Sequence, residues 1–309
     1  MVQYFSTADG YVRECETMQA GGWINVVNPE ESEIRALIEQ FSLEPDFVRA
    51  ALDEEESSRI EIEDGNVLMI IDTPVAERKE DGSLSYYTVP LGILIVPDQV
   101  ITVSLKQNLI VEEFVQGIIK GVQTNLKTQF VLRIMLRVAT RYLQFLKQID
   151  KLSGGIEKKL RSSLKDRELI QLLELRKSLV YFSTSLKSNI ATLERMMRGR
   201  YVKLYEEDQD LLEDVLIEIR QAHEMSSTYL NILSGTMDAF ASLINNNLNT
   251  VMKILAAITI VISVPNIIAG IYGMNVQGLP LAQFWWFPVV LAGAGMLLVY
   301  WILKKRDML

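Results

Sequence analysis

The sequence predicts an α+β membrane protein: an N-terminal cytoplasmic α/β domain, a long helical stalk and two C-terminal transmembrane helices per protomer. Three observations predict it. Residues 251–271 and 284–303 are apolar runs, and at about 1.5 Å per residue each reaches across the roughly 30 Å hydrocarbon core of a bilayer. Residues 128–250 carry apolar positions three and four apart with almost no Gly or Pro, which is helical spacing. Residues 1–127 mix short apolar or alternating runs with Gly, Asn and Pro turns, the pattern of a sheet dressed with helices.

In the first segment Trp23–Val27 reads as a strand, and 32–40 and 44–52 as helices, with Pro45 near a helix start. Arg59–Glu63 alternates as a strand does, and Asp64-Gly65-Asn66 supplies a hairpin turn into a strand at 67–72. Residues 77–83 are charged and loop-like. Apolar strands at 91–96 and 100–105 flank the turn Pro97-Asp98-Gln99. These pieces make a small sheet with helices on at least one side.

From 128 onward, helices are expected at 130–164, 166–201 and from 208 forward, the first two antiparallel. Ser153-Gly154-Gly155 is a soft spot in the first. The third meets only Gly235 between 208 and 263. Unbroken, it would hold ~65 residues and run about 100 Å into the first span; the alternative is several shorter helices broken at Gly235 and Asn245-Asn246-Asn247.

Composition excludes several functions. Net charge is −8, with 31 basic against 39 acidic residues, and no Lys/Arg stripe is interleaved with aromatics, so nucleic acid is not an expected partner. Cys15 and His223 are single, which rules out an intrachain disulfide, Cys/His metal centres and His-based acid–base catalysis. No phosphate-binding glycine loop and no nucleophile–base pair can be assembled, so an enzyme is not expected. Met1-Val2-Gln3-Tyr4-Phe5-Ser6 does not open a signal peptide, and the bulk of the chain is expected in the cytoplasm.

The spans form a hairpin, because the loop at 276–283 is too short for a domain. Lys253 stands at the start of the first span, Lys304, Lys305 and Arg306 follow the second in the tail 304–309, and the loop is uncharged. The positive-inside rule then puts both termini in the cytoplasm and the loop outside, with Phe284, Trp285, Trp286 and Phe287 at the outer interface.

Stepping from Asp238 alternately by four and three gives Ser242, Asn245, Asn249, Met252, Ala256, Thr259, Ser263 and Asn266, nearly all polar or small. Such a face is costly against lipid, so it looks into protein or a water-filled path. A single hairpin has no pore; several copies around an axis would enclose one. Close helix packing through small residues is the alternative.

The run Ala269-Gly270-Ile271-Tyr272-Gly273-Met274-Asn275, at the outer end of the penultimate span (251–271) and opening the outer loop (272–283), resembles the signature of CorA-type magnesium transporters. The order of domain, helices, stalk (128–250), spans and basic tail is similar too. The resemblance implies a funnel-shaped homopentamer in the cell membrane, with first spans around the pore and second spans facing lipid. It implies a selectivity filter of Gly273, Met274 and Asn275, and a pore lined by Asn249, Met252, Leu255, Thr259 and Asn266, with Met252 and Leu255 forming an apolar constriction. Asp238 would ring the inner pore mouth. Asp214 would bind a regulatory Mg²⁺ between subunits, opposite an acid sought within 77–81. Mg²⁺ is thus both transported and regulatory; the partners are further copies of the chain, the bilayer and divalent cations.

The chemistry suits that ion. Mg²⁺ dehydrates reluctantly, and neutral amide oxygens can hold its water shell without trapping it. Gly273 would free the backbone to turn, or Gly273 and Asn275 would simply cap the helix. The outer loop lacks an acid, with Gln277 in its place, so amide binding at Asn275 must suffice. The alternatives are a Co²⁺, Ni²⁺ or Zn²⁺ transporter of the same fold, and a non-conducting membrane-tethered coiled-coil sensor.

Overall fold

The computed structural model describes every residue except 9, 80, 81, 83, 164, 165, 200, 276–278, 282 and 307–309. The sequence-level readings at Glu80, Asp81 and Gln277 therefore lie outside the described residues. The chain divides into two compact units, Met1–Gly235 and Thr236–Leu309.

The first unit is built on a seven-stranded sheet of order β2-β1-β3-β7-β6-β5-β4. Its strands are β1 (Val2–Ala8), β2 (Tyr11–Cys15), β3 (Trp23–Val27), β4 (Arg59–Glu63), β5 (Asn66–Arg78), β6 (Leu84–Ile95) and β7 (Val100–Ser104). Only β3 and β7 pair in parallel. Helices α1 (Glu31–Phe41) and α2 (Pro45–Ala50) lie on one face, where Leu37, Phe47 and Val48 meet Ile24, Val26, Leu68, Ile70 and Ile101. Trp23 and Tyr86 point to the opposite face, against Phe130 and Phe145 of α4 (Lys127–Ser163) and Phe182 of α5 (Asp166–Met197). Because β3, β5 and β7 are covered on both sides, they read as continuous apolar runs rather than alternating ones. Each large side chain buried this way is worth about 1.5–3 kcal/mol relative to exposure. A short helix α3 (Leu109–Val115), capped by Asn108 accepting from the Ile110 N–H at 3.0 Å, docks on α4. Its Glu113 is held by Arg137 and Arg141. Burial works against that carboxylate, but the two guanidinium groups outweigh it and hold its pKa below the usual range.

At the Asp64-Gly65 turn both residues are left-handed, with φ of 48° and 81°, as a two-residue hairpin of this hand requires. β4 ends its pairing opposite Ile70, so the next peptide on that edge, Asp72, has no strand beside it. Asn189 of α5 takes the strand's place: its Oδ1 accepts from the Asp72 N–H and its Nδ2 donates to the Asp72 carbonyl, both at 2.9 Å. Tyr142 donates to the same carbonyl at 3.0 Å. The Asp72 carboxyl sits in this crowded junction, and burial raises its pKa from 3.8 to about 6, against a smaller opposing effect of the Ser185 hydroxyl.

Several sequence expectations change. The sheet is larger than expected: β1 and β2 add two strands before Trp23, and β5 and β6 extend as a long hairpin through Arg78 and from Leu84. The charged loop begins at Lys79, because Glu77 and Arg78 still pair with Ser85 and Leu84. Helices α4 and α5, expected to open a separate segment at 128, cover the sheet and belong to its compact unit. Ser153-Gly154-Gly155 does not break α4, and α6 (Glu206–Tyr272) runs as one helix of 67 residues through Gly235 and the three asparagines. Its first turns pack on α5, with Leu212, Val215 and Ile219 buried and Ser226 donating to the Leu179 carbonyl at 3.0 Å.

The second unit is a helical hairpin of α6 from Thr236 onward and α7 (Trp286–Lys305). Both helices contain windows apolar and long enough to cross a membrane, and 6% of each window is buried, so these apolar surfaces need a lipid or protein environment.

Candidate functional site

The second unit is organised by which face of α6 meets α7. Pro265, Ile268 and Ala269 of α6 face Pro288, Val289, Ala292, Gly293 and Met296 of α7 across a cavity of about 450 Å³. Higher in the hairpin, Tyr272 meets Phe287 with ring centroids 6.1 Å apart, and its hydroxyl donates to the Pro280 carbonyl at 3.1 Å. Gly295 is required by contact: a Cβ there would stand 2.8 Å from Val264 Cγ1. The sequence reading overlooked this face. The signal was present in Ala292-Gly293-Ala294-Gly295, a small-residue patch that lets membrane helices approach closely.

The polar stripe lies on the other side. At about 100° per residue, Ala257, Val264, Pro265 and Ile268 share one direction, and Met252, Leu255, Thr259 and Asn266 fall within about 50° of its opposite. Asp238, Asn245 and Asn249 run along one margin of that opposite face. Ala257 is fully buried, whereas Met252 and Leu255 are 63% and 57% exposed. Packing α7 onto the apolar side thus leaves Met252, Leu255, Thr259 and Asn266 exposed among the described residues.

Along this face the Thr259 hydroxyl donates to the Leu255 carbonyl at 2.8 Å, and Ser263 to Thr259 at 2.7 Å. Each proton is turned back into the helix, so an oxygen lone pair is left to accept from a partner outside it, such as the water shell of a cation.

α6 ends at Tyr272, closed by Gly273 N–H donating to the Ala269 carbonyl at 2.8 Å and Met274 N–H to Ile271 at 3.3 Å. Gly273 is not among the glycines with left-handed backbone. A Cβ there would sit 3.0 Å from the Ala269 carbonyl oxygen, a tight contact. Met274 and Asn275 are exposed, and among the described residues no hydrogen bond caps α6 through the Asn275 amide.

Asp214 lies on the exposed side of α6 within the first unit, beside buried Val215, and Asp238 is exposed in the second. Among the described residues no three His, Cys, Asp or Glu side chains gather to hold a metal ion.

Residues 19–305 match the family described as CorA-like Mg²⁺ transporter protein. The chain belongs to this family. A relative, the cobalt/magnesium transport protein CorA of Methanocaldococcus jannaschii, is 32% identical over 299 residues, covering 90% of this chain and 88% of its own. The CorA of Thermotoga maritima is 32% identical over 147 residues, covering 43% and 42%. The complete structure of the M. jannaschii CorA magnesium transporter superposes with a TM-score of 0.81 at 25% identity, over 99% of this chain and 96% of that one. CorA-like proteins are membrane-embedded ion transporters and not enzymes, in keeping with the resemblance of the Gly273-Met274-Asn275 signature.

Proposed function

We propose that this chain carries Mg²⁺, and Co²⁺ as well, across the cell membrane through a homopentameric pore lined by α6 and gated by cytoplasmic Mg²⁺. The observation that carries the proposal is the opposition of faces on α6: α7 takes the apolar side, and the stripe of Asn, Thr and Ser remains exposed. Packed around an axis, such stripes enclose a wet path, and α7 stands on the lipid side.

In this reading Asn275 offers a ring of amide oxygens to a hydrated dication, with Gly273 and Met274 shaping the ring. Asn266, Thr259 and Asn249 continue the hydrogen-bonding surface. Met252 and Leu255 narrow it to an apolar collar that stops flow by dewetting. Asp238 collects cations at the inner mouth, and Asp214 holds Mg²⁺ between subunits when cytoplasmic Mg²⁺ is high. Loss of that bridging ion shifts the population toward open subunit arrangements. In this reading both termini are cytoplasmic, which Lys304, Lys305 and Arg306 after the second span support. The membrane potential supplies the driving force: a dication gains about 4.6 kcal/mol per 100 mV, twice the single-charge value of about 2.3.

The test is Mg²⁺ uptake into proteoliposomes under an inside-negative potential, wild type beside Asn275→Ala. Uptake by the wild type and loss of most of it in the variant, with unchanged assembly by size exclusion, is the expected result. Equal flux in the two would remove Asn275 from the path, and no flux in either would leave a non-conducting protein.

A further inference from the structure

Opposite its contact with α6, α7 carries a second ordered surface. Pro288, Ala292 and Met296 line the cavity shared with α6, and the buried Leu303 points the same way. At about 100° per residue, Val290, Ala294, Leu297, Trp301 and Lys305 fall within about 50° of the opposite direction. All five are exposed. The face is apolar through Leu297, a surface for acyl chains, and changes character within one turn at Trp301 and Lys305.

Trp301 is 60% exposed, and the Lys305 ammonium stands over its ring, 5.4 Å from the centroid, within the range of a cation–π contact. The ring thus holds the charge on the side of α7 turned away from α6, where a flexible lysine could point anywhere. Lys304 and Arg306 flank it, and α7 itself contains no acidic residue. Among the described residues no carboxylate pairs with any of the three cations. Asp307 follows them outside the described residues; counting it, residues 304–307 carry two positive charges.

We propose that this end of α7 binds an anionic phospholipid, with its phosphate at Lys305, its glycerol region against the Trp301 ring and a chain along Leu297 and Ala294. Tryptophan prefers this level of a bilayer, between the chains and the headgroups. A lysine near an anionic membrane surface contributes about 1 kcal/mol, or about fivefold in affinity. A zwitterionic lipid presents the same phosphate beside a cation of its own, so charge selects the anionic one. The inference rests on α7 facing lipid, as in the reading above, and not on ion flux.

The test places the full-length protein in nanodiscs of phosphatidylcholine mixed with phosphatidylglycerol. Trp285 and Trp286 are changed to Phe, so Trp301 is the one tryptophan left on a membrane helix; Trp23 is buried and gives a constant background. Lipids brominated near the headgroup end of one chain quench the tryptophan they touch. Brominated phosphatidylglycerol should be preferred over brominated phosphatidylcholine about fivefold. Lys305→Gln should cut the preference to about twofold or less, while Lys305→Arg keeps it. Glycerol phosphate, the headgroup without its chains, should leave the preference unchanged at matched ionic strength. The proposal is overturned by equal quenching from the two lipids, by a preference that survives Lys305→Gln, by an equal loss in Lys305→Arg, or by displacement with glycerol phosphate. It is overturned as well if neither lipid quenches Trp301, since a second copy would then cover this face. None of these results depends on Mg²⁺ uptake, so the transport reading stands or falls separately.

Discussion

Asp72 offers a perturbation whose size can be worked from the structure. Its carboxyl lies in the junction where Asn189 replaces a missing strand, and burial raises its pKa from 3.8 to about 6. The unfolded chain therefore releases this proton more readily than the folded one. Between about pH 4 and 6 the folded state binds more protons, so stability falls as pH rises through that window and levels off above it. A shift of about two units at 1.36 kcal/mol each corresponds to a cost of about 3 kcal/mol at neutral pH. Asp72→Asn keeps the shape and removes the charge, so it should stabilise the first unit by up to that amount. For a unit of 235 residues, at about 2–4 °C per kcal/mol, the melting temperature should rise by about 6–12 °C at pH 7.5. The gain should shrink to about half at pH 5 and vanish near pH 3.8 and below. Trp23 is fully buried in this unit, so its fluorescence in a full-length background with Trp285, Trp286 and Trp301 changed to Phe reports the transition. Equal melting temperatures at pH 7.5, or a gain that grows as pH falls, would refute the argument.

Two further outcomes follow from the hairpin. Gly295→Ala places a Cβ 2.8 Å from Val264 Cγ1, whereas Gly293→Ala meets nothing within 4 Å; the first should cost about 1–3 kcal/mol through overpacking and the second little, as read by thermal stability of the detergent-solubilised protein. Thr259→Val keeps the shape of the side chain and removes the hydroxyl that faces away from α7, so Mg²⁺ flux in proteoliposomes should drop about tenfold or less, with assembly by size exclusion unchanged.

The strands and helices that were legible in the sequence share one property: their signal is local. Asp64-Gly65 marks its turn because two left-handed residues in succession require such residue types. β1 and β2 went unread because their residues are mostly polar or half-exposed, and their strand character comes from pairing with β3. The far halves of β5 and β6 were hidden for a related reason: Pro74, Pro90 and charged residues interrupt the pattern, and the outer edge is satisfied by Asn189, which lies 117 residues away from Asp72. Gly154-Gly155 suggested a break, but the surrounding helical turns carry α4 through.

For the candidate site, the sequence by itself determined the two spans, the heptad-like run of polar and small residues, and the Gly273-Met274-Asn275 terminus, since hydrophobic length and helical period are properties of the chain alone. Which side of α6 is covered was decided only by tertiary structure. Gly295 and its neighbours bring α7 close to Val264 and Pro265, and that contact selects the face left open. How closely a Cβ at Gly273 would be crowded is likewise a matter of distance, 3.0 Å to a carbonyl oxygen one turn back. A periodic sequence says that a helix has two faces; contact between helices assigns them.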